Sequence, residues 1–131
     1  MYKPAIISGI TTAMLAVILG AFGAHGLKAT VVPGQLAIFE KGVTYQFYHS
    51  FALIAAGILH SAYPDKLIRA ATPLFTSGIL LFSGSLCLMV VLSAAGRSIG
   101  AAGIITPIGG LCFIAGWITL LAGILKKNRY T

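Results

Sequence analysis

Seven polar side chains in an otherwise apolar chain have the types and spacing to do chemistry: His25, Tyr45, Gln46, His49, Ser83, Ser85 and Thr106. Gln46 and His49 stand three residues apart, and Tyr45 and His49 four, so on a helix each pair shares a face. Imidazole changes charge near neutral pH and is a common ligand for metals and haem. If these groups converge, they line a small cavity for a polar headgroup, a quinone or a metal, with haem or metal on His25 and His49 the most specialised form. The structural alternative is a set of hydrogen bonds between helices, each contributing about 0.6 kcal/mol on average in a membrane. His60 reads as an interfacial ring with its tip in water. Glu40 beside Lys41 reads as a solvated charge that could instead meet His25 if the intervening loop folds back.

Other chemistry is poorly supplied. The only carboxylates are Glu40 and Asp65, expected on opposite faces of a membrane, so there is no acidic pair for hydrolysis. Cys87 and Cys112 have no C-x-x-C spacing and read as small buried side chains, without a resolving partner for thiol redox work. The expectation is a protein that is not an enzyme and carries no resident cofactor.

The elements that must position these residues follow from composition. Of 131 residues, 58% are hydrophobic and 8% charged, against about 25% charged in a soluble domain. Residues 4–24, 42–64, 70–96 and 98–125 carry no Asp, Glu, Lys or Arg. A bilayer span needs about 20 apolar residues, so the four runs predict four spans, at about 4–25, 42–62, 71–95 and 104–125. The first run is longer than the apolar region of a cleavable signal, about 7–15 residues. The chain is thus read as one all-α domain over 1–131, an integral membrane four-helix bundle. Between spans one and two, Pro33-Gly34 signals a turn. Leu36, Phe39 and Val43 then repeat at helical spacing, which predicts a short interfacial amphipathic segment.

The net charge of +7 is scattered, with no basic patch interleaved with aromatics, so nucleic acid is not the expected partner. Anionic lipid headgroups suit it better. Lys3, Lys66, Arg69, Lys126, Lys127 and Arg129 fall on one side and Lys28, Lys41 and Arg97 on the other. That asymmetry predicts both termini in the cytoplasm. Gly20, Gly23, Gly26, Gly84, Gly109, Gly110 and Gly116 are the expected packing positions, because small residues let helices approach closely in lipid. The same faces could serve self-association.

Four segments in order carry a family resemblance: Gly20-Ala-Phe-Gly-Ala-His25, Tyr45-Gln46-x-x-His49, Phe82-Ser-Gly-Ser-Leu86, and Thr106-Pro-x-Gly-Gly110 with Gly116-Trp117. Together they resemble the small bacterial inner-membrane proteins typified by YgdD and YwdK, with distant eukaryotic relatives of the transmembrane protein 256 type. Cys87 departs from the aromatic residue expected after the Ser-Gly-Ser-Leu stretch. The resemblance implies four spans and an uncharacterised family, and no reaction. The expected role is a non-enzymatic membrane protein that binds lipid or another apolar molecule, or acts as a scaffold. The alternative is a small transporter or channel using the outer-leaflet His25/His49 region.

Overall fold

Helix α1 runs Lys3–His25, with Pro4 in its first turn, where a missing N–H costs nothing. It stops at Gly26, whose N–H returns to the Phe22 carbonyl, and a 3₁₀ turn over Leu27–Ala29 follows. Helix α2 opens at Pro33 and continues unbroken to Ala62, 30 residues. The structure is a computed structural model describing residues 1–98 and 100–127, and no strand occurs among them. Arg129, counted above among the basic residues, lies outside the described residues.

The segment expected to lie along the membrane surface is therefore the start of α2 itself. Its apolar stripe turns inward. Phe39 is fully buried in a cluster with Leu27, Cys87 and Val90, and Leu36 and Val43 pack on that cluster. The stripe is real, but another helix covers it.

After Tyr63-Pro64, Asp65 caps α3, Lys66–Gly78, by accepting from the Leu67 N–H at 2.7 Å. The rod widens into a π turn at Ile79–Ser83 and resumes as α4, Gly84–Ala94. It ends in a Schellman motif: Arg97 N–H bonds Leu92 O, Gly96 N–H bonds Ser93 O, and Gly96 takes φ +75°, which glycine adopts at no steric cost. Helix α5 spans Ala102–Lys127. It starts ahead of Thr106-Pro107, two residues before the expected span. Pro107 only deprives the Gly103 carbonyl of a helical donor, a loss that membrane helices tolerate.

Three stretches, Lys3–Ala29, Lys66–Ala94 and Gly103–Lys126, are long and apolar enough to cross a membrane. Helix α2 is more polar, and it is central: α1 packs on one side of it, α3 and α4 on another. Helix α5 packs against α3, the π turn and α4. Rods consecutive in the chain run antiparallel. Along α1–α2, Gly23 meets Phe39, Gly9 meets Ser50 and Ile54, and Gly57 meets Ile6. Along α5, Gly123 meets Ile68, Gly116 meets Phe75, and Gly109 meets the Phe82 backbone.

The glycine expectations divide accordingly. Gly23, Gly109 and Gly116 are true contact points. A Cβ on Gly20, Gly84 or Gly110 would find its nearest neighbour no closer than 3.7 Å, so those positions do not set a helix approach. Gly26 touches only its own Phe22 and serves as a helix end. Gly42, Gly57, Gly78 and Gly123 set close approaches that the sequence did not announce.

Candidate functional site

His49 lies mid-way along α2, 5% exposed, in a cage of rings. It stacks on Phe113 with centroids 3.5 Å apart and planes 10° from parallel, and its centroid is 5.7 Å from that of Phe75. Tyr45, one turn earlier, lies nearly parallel to it at 6.1 Å and reaches Phe82 at 5.0 Å. Both ring nitrogens are used. Trp117 Nε1–H donates to Nε2 at 3.1 Å, and Nδ1 lies 2.8 Å from the Tyr45 carbonyl. An indole N–H is only a donor and a carbonyl only an acceptor. The pair of contacts therefore assigns the neutral ring with its proton on Nδ1.

The other polar residues follow the same logic on other helix pairs. The Gln46 amide donates to Thr12 O at 2.9 Å. The Ser50 hydroxyl lies within 2.8 Å of both Thr12 Oγ1 and the Gln46 carbonyl, and Thr12 itself donates back to Ser8 O. Ser85 donates to Phe82 O in the widened turn and sits 2.6 Å from Thr106 Oγ1. Either hydroxyl can be the donor in that contact. Gln35 donates to Ser93 Oγ at 2.6 Å. Four polar links thus join four helix pairs: α1–α2 at Thr12, α2–α5 at His49, α4–α5 at Ser85 and α2–α4 at Gln35.

The seven groups singled out in the sequence therefore do not converge on one cluster. His25 is exposed at the end of α1. Because Gly23 packs on Phe39, His25 stands level with the early part of α2. His49 lies ten residues beyond Phe39, about 15 Å along the axis at 1.5 Å per residue. The two histidines do not meet within one chain, so they do not share a metal or haem iron there. Among the described residues no group of three or more His, Cys, Asp or Glu is placed to hold a metal. Ser83 is fully buried with its hydroxyl unpartnered, and its backbone carbonyl faces Gly42. Tyr45 and His49 do stack, and Ser85 and Thr106 do bond.

Sequence reasoning missed the partners: Thr12, Ser50, Phe113 and Trp117. The signal available was the Phe113–Trp117 spacing of four, which puts a ring and an indole donor on one helix face. Both thiols, Cys87 and Cys112, are free. Cys87 faces α2, with Sγ 3.9 Å from Phe39 O.

At one end of the bundle Asp65 also pairs with Lys126 at 3.4 Å, tying the start of α3 to the end of α5. The Leu67 N–H first, and then Lys126, hold the Asp65 carboxyl below its ordinary range against partial desolvation.

Polar side chains turned inward and large apolar ones outward, as with Ile7, Met14, Leu111 and Ile118, define an all-helical membrane protein. Residues 19–110 match the model of a family described as protein of unknown function, DUF423. A UPF0382 membrane protein of Staphylococcus saprophyticus is 44% identical over 124 residues, covering 95% of this chain and 98% of the relative. The UPF0382 membrane protein YwdK of Bacillus subtilis is 40% identical, covering 95% and 98%. One from Staphylococcus aureus is 42% identical, covering 92% and 94%. No solved structure matches the chain. The chain belongs to this family, as the sequence resemblance implied.

Proposed function

We propose that this is a non-enzymatic, four-span protein of the bacterial inner membrane, both termini cytoplasmic, that works by binding lipid at its outer surface and scaffolding the membrane around it. The observation that carries this is the occupation of both His49 nitrogens by Trp117 and the Tyr45 carbonyl. The most polar residue of the core is fully engaged by the protein, and the links at Thr12 and Ser85 are engaged likewise. That favours a fixed interior over a cavity or a transport path, and leaves the surface to act. Helix α2 serves as the fourth span because its neighbours, rather than lipid, cover Gln46, His49 and Ser50. The excess of Lys and Arg at the end bearing Lys3, Lys66, Arg69 and Lys126 supports the orientation.

Native mass spectrometry of the protein in mild detergent tests the proposal, and it also counts subunits. The expected result is bound phospholipid on wild type and on His49→Ala alike, with His49→Ala less stable by about 2–4 kcal/mol through loss of packing. A non-lipid ligand mass that disappears in His49→Ala, with stability unchanged, would return the core to a ligand cavity.

A further inference from the structure

A groove of about 420 Å³ opens at the Lys-rich end of the bundle, lined by Tyr2, Lys66, Arg69, Ala70 and Pro73. Tyr2 is a fixed wall. Its backbone N–H donates to Gly57 O at 2.9 Å and its ring lies 5.6 Å from that of His60. The Arg69 guanidinium carbon sits over the same ring, 5.2 Å from the centroid. A guanidinium resting on an aromatic face is held in place while keeping its N–H donors for an anion.

The groove lacks an internal anion. Asp65, the carboxylate at this end, is occupied by the Leu67 N–H and Lys126. Lys66 and Arg69, both exposed, form no close ion pair among the described residues, and the Lys66 charge acts on Asp65 only at longer range. The floor has the opposite character. Ala70 and Pro73 are exposed, and two turns beyond Pro73, past the half-buried Thr76 and Ser77, Leu80 is 68% exposed on the outside of the bundle. Two unpaired cations at the rim and an apolar track leading away along the helix match an amphiphile with an anionic head.

We propose that this groove binds an anionic phospholipid: Lys66 and Arg69 take the phosphate, Tyr2 walls the glycerol, and the Ala70–Pro73 floor takes the start of an acyl chain. The proposal rests on the lipid-facing role above and gives that role a headgroup and a place. A free phosphate offers the same charge but makes no use of the floor.

The test is titration of the full-length protein in detergent with phosphatidylglycerol, with phosphatidylcholine of the same chains, and with inorganic phosphate, read by native mass spectrometry. Phosphatidylglycerol is expected to bind preferentially. Neutralising Lys66→Gln and Arg69→Gln together should weaken it about thirtyfold, about fivefold per charge. Lys66→Arg with Arg69→Lys should keep most of the affinity, and Lys28→Gln with Lys41→Gln, at the other end, should leave it unchanged. Unaltered Trp117 emission checks the fold of each variant. Equal binding of the two lipids, or full affinity in the double Gln variant, overturns this site and leaves the surface role standing. Displacement of the lipid by millimolar phosphate overturns the lipid assignment in favour of a soluble anion. No retained lipid of either kind overturns both proposals.

Discussion

Trp117 is the chain's single tryptophan, and its indole N–H ends on a histidine nitrogen that nothing else in the core is seen to satisfy. Trp117→Phe removes the donor and leaves Nε2 of His49 buried and unpaired. The expected cost is about 0.6–1.7 kcal/mol, the range for polar links in membrane interiors. Adding His49→Phe should recover part of that loss, since replacing both partners by apolar groups removes the unmet acceptor. Reversible unfolding of the two single variants and the double variant measures the coupling, and strict additivity would show that the 3.1 Å contact carries no energy. At this scale the sequence is half legible. Tyr45, Gln46 and His49 announce a polar stripe on one helix. The partner of His49 lies 68 residues away and depends on the register of α5 against α2, two parallel rods separated in the chain by a third, which local spacing does not encode. His25 misleads for the same reason: only the α1–α2 register reveals its distance from His49.

Between helices, spacing is set by backbone approach, and Gly109 and Gly110 separate the effect. A Cβ on Gly109 would run into the Phe82 backbone, whereas one on Gly110 would rest 3.8 Å from the Phe82 ring. Gly109→Ala should destabilise the protein by about 1–3 kcal/mol through overpacking, because backbone cannot move aside as a side chain can. Gly110→Ala should be neutral or stabilising by up to about 1 kcal/mol, the helical preference of alanine over glycine. Thermal unfolding of the two variants in detergent checks this, and equal effects would mean that α5 does not approach the π turn so closely. Small-residue runs told where helices could meet, but which glycine of a pair faces the partner depends on rotation about the helix axis. The rods themselves were legible from the uncharged runs. The inward turn of Leu36, Phe39 and Val43 was not, because an amphipathic stripe reads the same whether membrane surface or a neighbouring helix covers it.

Across the whole molecule, the ends are fastened by few charged contacts. Asp65 caps α3 and holds Lys126 of α5. Its carboxyl is held below the usual value, so it favours the folded state above the ordinary carboxylate pKa, about 3.9. That contribution disappears as the pH falls through the lowered folded value. Stability of the wild type should be level from neutral pH to about 5 and decline below about 4. Asp65→Asn keeps the cap but lacks the charge, so it should start lower and show a shallower acid decline; Asp65→Ala should lose the cap as well and melt lowest. An identical acid limb in wild type and Asp65→Asn would show that the Asp65 charge does not set it. The Lys-rich end was legible as a charge bias, whereas the groove at Tyr2 and Arg69 needed three elements brought together by the fold.

The wide turn at Ile79–Ser83 amounts to one residue more than a regular α-helix needs over the same stretch. It marks a change of neighbours along one rod, since α3 leans chiefly on α5 and α4 chiefly on α2. Removing a residue from Gly84–Leu86 would rotate everything after it by about 100° and carry Cys87 and Val90 off the α2 face. Removing one from the wide turn would close it into plain helix and leave both flanks where they are. The rod therefore has one place where its length can change without a change in what it touches, and that place ends at Ser83, one of two buried hydroxyls without a partner among the described residues.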